Sequence, residues 1–585
     1  LRNPKGVIVG SVQSGMPEHT HQTCTEVRLP ALTLENPQLW SCESPQLYNA
    51  EVVVTADGMV VDSLTEQFGI RSLEFSPEFG FKLNGKKIFL QGNANHHDLG
   101  ALGATCYDKA IERMMLQLKS FGYNCIRCSH NPYSDSFARI ADRVGILVVD
   151  ELTDKWSDND YWGGRQPFTH IWHKLITEWI KRDRNRPSII LWSLGNELQI
   201  REGWAGFEGT NDWGITTYNI FNQLVKRWDH TRLTTVAMFP ARAGAITRHD
   251  KEFNDYLVPP ELACATEVAS FNYQSDKYDA YLKYRPDLIL FQSEAETSNL
   301  LQPYYNMDKE RMVGIAYWGS VEYWGESNKW PKKGWNYSFF EHTMRPYPQA
   351  YLIKTAFMPE IPEVHIGVVD AAGAESVSWN DVIVGRMALN ECWNHTPGSR
   401  RSLFTFTNAH SVELLVNGQS MGIQKNDTTR ANLRNMIYWK DVPYGNGGSV
   451  VAIARDKSGK EVARHRIETA GKAVALRIEA ETPTDWKADG MDLQYINVTV
   501  IDKKGRPVWD YNEPLTLQME GAARLVALDN GDHYTDELFH GITSKRMYQG
   551  RMQIILRSDQ EAGNVTVKIS SAGLKGTLRL KTIKE

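Results

Sequence analysis

Between about residue 77 and residue 357 the chain repeats one pattern, a short apolar run followed by a stretch of helical periodicity. The apolar runs lie near 86–92, 122–128, 145–150, 188–194, 233–237, 267–272, 287–293 and 312–318. Continuous apolar runs of this length, bounded by turn residues, suit strands buried on both faces, and strands that alternate with helices pair in parallel through crossovers. Eight such units predict one closed (β/α)8 barrel of TIM type over 77–357. Two of the intervening helices are legible. Asp108–Ser120 (DKAIERMMLQLKS) carries apolar residues at helical spacing behind an acidic N-cap, and Ile171–Arg182 is similar.

The flanks differ in character. Residues 1–76 alternate polar and apolar positions, as in Glu51-Val52-Val53-Val54, between proline-rich turns, which predicts part of a β-sandwich. After about 360 come short strands with Gly, Asn and Asp turns, and Val412–Gly418 ends in an Asn-Gly hairpin signal. Two further all-β units are expected, over 358–471 and 472–585. A chain of 585 residues exceeds one hydrophobic core, so this multidomain division is in keeping with its length.

Composition excludes several partners. A net charge of −5 gives no electrostatic reason to expect nucleic acid, and no run of 18 apolar residues exists to span a membrane. The chain begins at Leu1 without a visible signal peptide, so a processed or truncated start is expected. The 7 cysteines are scattered and form no disulfide framework; Cys125-x-x-Cys128 has no second pair and sits in a predicted strand, so packing is the reading. Asp529-Asn530-Gly531-Asp532 lacks further calcium-ligand spacing and reads as a turn.

Two of the barrel runs end in a carboxylate. Arg182–Glu197 (RDRNRPSIILWSLGNE) stops abruptly in Gly195-Asn196-Glu197, and Asp287–Glu294 (DLILFQSE) stops at Glu294. The interval between the two glutamates holds about three β/α units, which suggests the ends of strands four and seven. Two carboxylates on one barrel rim are what glycoside hydrolysis needs, one to protonate the leaving oxygen and one to attack or to activate water. Glu296, two residues beyond Glu294, competes for the second role.

The first of these segments resembles the acid/base signature of glycoside hydrolase family 2, the β-galactosidases, β-mannosidases and β-glucuronidases. Similar pieces follow the family's order: FGIR at Phe68–Arg71, FKLNGKKIFLQGNANHH at Phe81–His97, NCIRCSHNP at Asn124–Pro132, FNY at Phe271–Tyr273, QSE at Gln292–Glu294 and YWGSVEYWGE at Tyr317–Glu326. The resemblance implies Glu197 as general acid/base, Glu294 as nucleophile and Asn196 as ligand of the sugar 2-hydroxyl. It implies Arg127 beneath the nucleophile and the Tyr273 hydroxyl against it. His96 matches an Asn-x-His position near the sugar, with His97 beside it an alternative; Asn131 is expected on the same rim, and Trp318 as floor or wall of the sugar subsite. Glu322 falls where the family often has aspartate. Trp156, Trp162 and Trp324, in predicted rim loops, are candidates either for stacking on sugar or for packing. By the same resemblance residues 1–76 are an immunoglobulin-like sandwich, and the two C-terminal units are accessory sandwiches.

Departures qualify the match. Arg186 replaces the histidine common in RDRNHPS. Asp150–Trp156 (DELTDKW) lacks the Glu-x-His used for magnesium by some members, so neither a metal nor another cofactor is expected in catalysis. Lys333–Arg345 (KGWNYSFFEHTMR) lacks the Asn-x-Lys that grips a uronate in β-glucuronidases. His96–Gly103 (HHDLGALG) resembles bacterial β-galactosidases. The expected activity is a retaining, exo-acting β-galactosidase on oligosaccharides from plant or algal polysaccharide, in the periplasm or secreted, with homo-oligomers compatible. A β-mannosidase or other family 2 exo-glycosidase, and a non-catalytic carbohydrate-binding protein, are the alternatives.

Overall fold

The apolar runs of the middle region do pair in parallel. In the computed structural model, which describes residues 1–15, 27–156, 167–198, 212–239, 258–327, 330–370, 375–379 and 382–584, eight strands close into a barrel. They are β1 (Leu90–His96), β2 (Cys125–Ser129), β3 (Leu147–Glu151), β4 (Ile189–Asn196), β5 (Leu233–Met238), β6 (Val268–Asn272), β7 (Leu290–Ala295) and β8 (Gly314–Trp318). Each pairs with the next, and β8 closes onto β1 from Gly314↔Leu90 to Trp318↔Ala94.

Most strands begin a few residues inside the apolar runs that announce them. Lys86–Lys87 instead pairs with Gly80–Leu83 in a small three-stranded sheet completed by Leu73–Ser76. Asp287 stays outside β7, held by Arg285 at 2.9 and 2.7 Å. Those local pairings satisfy the polar groups that a buried strand could not accommodate.

The helices pack on the barrel's outside. Asp108–Ser120 turns Ala110, Ile111, Met115 and Leu118 inward. Its N-cap is Tyr107, without a side-chain cap, and Asp108 is the first helical residue, so its charge acts on the helix dipole rather than as the expected cap. Helix Asp135–Val144 is capped by Ser134, which accepts from Phe137 N, and ends at Gly145 with φ 78°. A β-carbon at Gly145 would also lie 2.5 Å from the Cys42 carbonyl oxygen, so glycine is required twice over. The third helix runs Phe168–Asp183, one turn longer at its start than the periodicity predicts.

Among the described residues of the N-terminal part, Tyr48–Ala56 and Met59–Phe68 form a two-stranded antiparallel hairpin, onto which Arg2 bridges at Asn49. Arg71 ties this part to the start of β4 through the carbonyls of Pro187 (2.8 Å) and Ile189 (3.0 Å). Arg186, the departure in the signature segment, reaches Glu66 at 2.9 Å and so joins the same contact.

Beyond the barrel, residues 364–468 build two four-stranded antiparallel sheets around a core that includes Trp393, Leu403, Leu414 and Trp439. The Asn-Gly signal is a hairpin turn there: Asn417 (φ 51°) and Gly418 (φ 83°) join Ser411–Val416 to Gln419–Lys425. Residues 475–581 form a second pair of four-stranded sheets around Trp486, Ile496, Leu517 and Ile554. This last unit docks on the barrel through Ala101, Leu102 and Ala110 against Leu493, Tyr495 and Ile555, and through the Arg113–Glu481 ion pair at 2.7 Å. Among the described residues no helix is long and apolar enough to cross a membrane.

Candidate active site

The C-terminal ends of β2, β3, β4, β6 and β7 bring one connected set of polar side chains together. Register places them at one level: Asn196 pairs with Ala237, and Asn272 with Glu294. Both ladders shift register just before these residues, and such an irregularity turns the strand end and re-aims its side chains. Glu197 (φ 48°) and Tyr273 (φ 58°), the residues directly after β4 and β6, occupy the left-handed region that non-glycine residues avoid. Hydrogen bonds from Glu197 N to Ala237 O (2.7 Å) and from Tyr273 N to Glu294 O (2.8 Å) hold them there. Backbone strain of this kind clusters at functional sites.

Arg127 is the hub. Fully buried, it donates from Nη1 to Glu294 Oε1 at 2.6 Å, from Nε and Nη2 to Glu151 Oε2 at 3.0 and 2.7 Å, and from Nη2 to Asn196 Oδ1 at 3.0 Å. Burial disfavours its charge, but the Glu151 and Glu294 carboxylates outweigh that and raise its pKa. The same balance acts on Glu151, where burial is overcome by Arg127 and His130 and the carboxyl is held below its ordinary value. Glu294 also accepts from the Tyr273 hydroxyl at 2.7 Å.

Glu197 has the opposite electrostatics. It is buried and accepts from Asn272 Nδ2 at 3.1 Å. Burial first, and the Glu294 charge second, push its pKa up to about 8, against the smaller opposing effects of Lys155 and Asn272. Asn272 Nδ2 also reaches Asn196 Oδ1 at 3.0 Å, while Ser293 Oγ donates to Asn272 Oδ1 at 2.7 Å. One carboxyl is thus kept protonated near neutrality beside another gripped by a guanidinium and a phenol, the arrangement that separates an acid from a nucleophile.

Of the other anticipated residues, His96 faces this site. Its ring meets Trp318 at 5.1 Å and His130 at 5.4 Å edge-on, and its Nε2 lies 3.5 Å from Glu326. His97 points elsewhere, to Thr105 O at 2.8 Å and the Tyr133 ring. Trp318 forms a wall with His130 stacked on it at 5.2 Å. Asn131 is not brought in: it is exposed and its side chain bonds Pro132 O, because the preceding His130 takes the inward position. Glu296 lies past the end of β7 and accepts from Asn299, so the alternation that would align it with Glu294 has already broken. Trp156 is buried against Phe221 and donates to Leu194 O at 2.7 Å, which is packing. Trp324 and Glu322 contact His342 and His533 instead. Trp162 lies outside the described residues.

Sequence reasoning missed Glu151, His130, Asn272 and Asp154. His130 contacts Glu151 at 2.7 Å and Asn196 at 3.3 Å, and Asp154 accepts from Asn196 Nδ2 at 3.0 Å. Each follows the end of a barrel strand or ends one, and that position was the available signal. Among the described residues two His/Glu groups converge closely enough for a metal ion, Glu322–His342–His533 and His365–Glu391–His465, and neither contains Glu197 or Glu294.

The description "Glycosyl hydrolases family 2, TIM barrel domain" matches residues 78–309, "Glycosyl hydrolases family 2" matches 1–71 and "Glycoside hydrolase family 2 C-terminal domain 5" matches 476–578. A solved glycosyl hydrolase family 2 member from Bacteroides cellulosilyticus superposes with a TM-score of 0.79 at 30% identity, covering 93% of this chain and 68% of its own. The chain belongs to glycoside hydrolase family 2. Residues 398–463 match a domain of unknown function. Among curated relatives, the β-galactosidase BoGH2A of Bacteroides ovatus is 27% identical over 93% of this chain and 67% of its own length. A Formosa agariphila protein with a provisional β-glucuronidase name is 42% identical over 96% of this chain and 55% of its own length. The chain therefore spans about half to two thirds of the length of these relatives. As a family 2 chain it carries the glycoside hydrolase barrel domain.

Proposed function

We propose that this chain is a retaining exo-β-galactosidase that works by double displacement. The observation that carries the reading is the electrostatic division between Glu197, its pKa pushed up to about 8, and Glu294, bound by Arg127 and Tyr273. Glu294 attacks the anomeric carbon while Glu197 protonates the departing oxygen; Glu197 then deprotonates water, which releases the sugar from Glu294. Asn196, oriented by Arg127, Asp154 and Asn272, is the ligand for the 2-hydroxyl.

A neutral sugar suits the charges around the site. Arg127 is already shared between two carboxylates, and Glu326 stands on the rim against His96, so a uronate would meet negative charge among the described residues. The name of BoGH2A points the same way. The name of the Formosa relative favours β-glucuronide as the second reading. A substrate of polysaccharide origin would place the protein in the periplasm or outside the cell.

Hydrolysis of aryl β-galactoside, β-glucuronide, β-mannoside and β-glucoside by wild type and Glu294→Gln tests this. Turnover of galactoside alone, abolished in the variant, is expected. Preference for glucuronide transfers the assignment to the second reading, and a variant as active as wild type removes Glu294 from the mechanism.

A further inference from the structure

Glu322, His342 and His533 meet where the last β-sandwich unit touches the barrel rim, and all three are buried. Glu322 Oε2 lies 3.2 Å from His342 Nδ1 and 3.2 Å from His533 Nε2. The imidazole rings stand 5.0 Å apart at 69°. One ion held at about 2.0–2.1 Å by tetrahedral nitrogen and oxygen donors spaces those donors roughly 3.3 Å apart, close to the Glu322–imidazole separations.

The surroundings are those of a metal site. His342 Nε2 lies 2.9 Å from Asp529 Oδ1, a carboxylate that orients the ring and leaves Nδ1 facing Glu322. Tyr347 donates to Glu322 Oε1 at 2.7 Å, which leaves Oε2 as the inward donor; the His342 backbone N–H also approaches that oxygen at 3.2 Å. His533 is 3% exposed; its Nε2 lies 3.2 Å from Glu322 Oε2 without good hydrogen-bond alignment, and its Nδ1 makes no hydrogen bond. A buried imidazole whose Nε2 meets only a poorly aligned carboxylate, beside a second imidazole, is costly unless something binds it.

We propose that Glu322, His342 and His533 bind one zinc ion that fastens the last sandwich to the barrel. Two imidazoles and one carboxylate suit zinc better than calcium or magnesium, which take oxygen ligands. Water completes the fourth position. The ion also braces the active-site rim: Trp324 packs on His342 at 4.6 Å and on His533 at 4.8 Å, and Glu326, which contacts His96, follows two residues later. The site is separate from the glycosidase reading and does not depend on it.

The full chain, dialysed against a chelator, is titrated with Zn²⁺ in competition with a chromophoric chelator, and its thermal unfolding is followed with and without zinc. One equivalent per chain and a rise in Tm are expected, both lost in His533→Ala and in His342→Gln. Wild type loaded with Co²⁺ provides a readout that needs no variant, since tetrahedral binding gives a visible absorption band. Absence of stoichiometric zinc binding, of that band, or of any difference between wild type and a folded His533→Ala would overturn the proposal. An unliganded cluster held by a protonated His342 would leave Tm unchanged by zinc.

Discussion

Arg127 Nη1 sits 2.6 Å from Glu294 Oε1, and the pair is almost wholly removed from water. A buried cation that serves two carboxylates at once contributes to the fold and to the chemistry through the same contacts.

Arg127→Ala therefore leaves Glu151 and Glu294 without their cation. Unfolding in urea should show a loss of about 3–5 kcal/mol. Activity on aryl glycoside should fall at least about 100-fold, as when one preorganised donor is removed from a site. A folded variant of near wild-type activity would contradict the role given to Arg127.

The two glutamates should separate by leaving group. Glu197→Gln removes proton donation, costing about 10²–10⁴-fold on poor leaving groups but little in the first step on strongly acidic phenols. Glu294→Gln should be inactive on both, because no acid leaving group replaces a nucleophile. Burst and steady-state kinetics across a phenol series distinguish the two, and identical profiles would argue against the division.

The pKa of Glu197 sets a pH dependence with a definite sign. Its acid must be protonated at the start of the reaction, so kcat/KM should decline as pH rises through about 8. The folded protein also holds this proton more tightly than the unfolded chain. That contribution to stability is complete below the ordinary value of 4.5, is lost as pH rises toward about 8, and changes no further above it. Urea unfolding across pH should show this slope in wild type and lose it in Glu197→Gln.

Gly195 tests the packing beneath the acid. A β-carbon there would lie 2.7 Å from Trp156 Nε1, the group that donates to Leu194 O. Gly195→Ala should cost about 1–3 kcal/mol through overpacking and should shift Glu197 enough to reduce kcat. An unchanged Tm and rate would mean that Trp156 yields freely.

The barrel was legible because each of its strands is buried on both faces and must be written as an uninterrupted apolar run, such as Ile189–Leu194. The strand-ending carboxylates stood out for the same reason, since a charge directly after such a run is conspicuous. Asn131 shows the limit: in Ser129-His130-Asn131 the sequence offers neighbouring polar residues, and only the turn of the chain after β2 decides that His130 faces inward. Glu296 was open for a similar reason, because alternation holds only while the strand lasts and β7 ends at Ala295.

The sequence by itself determined the barrel, its flanking β-units and the two glutamates, since these follow from hydrophobic period and from residues at strand ends. Only the tertiary structure decided that Arg127 bridges Glu151 and Glu294, that Asn272 links Glu197 to Asn196, and that His533 comes to rest against Glu322 and His342. Those contacts join residues from different strands and units, and their geometry depends on how the whole chain packs rather than on any local period.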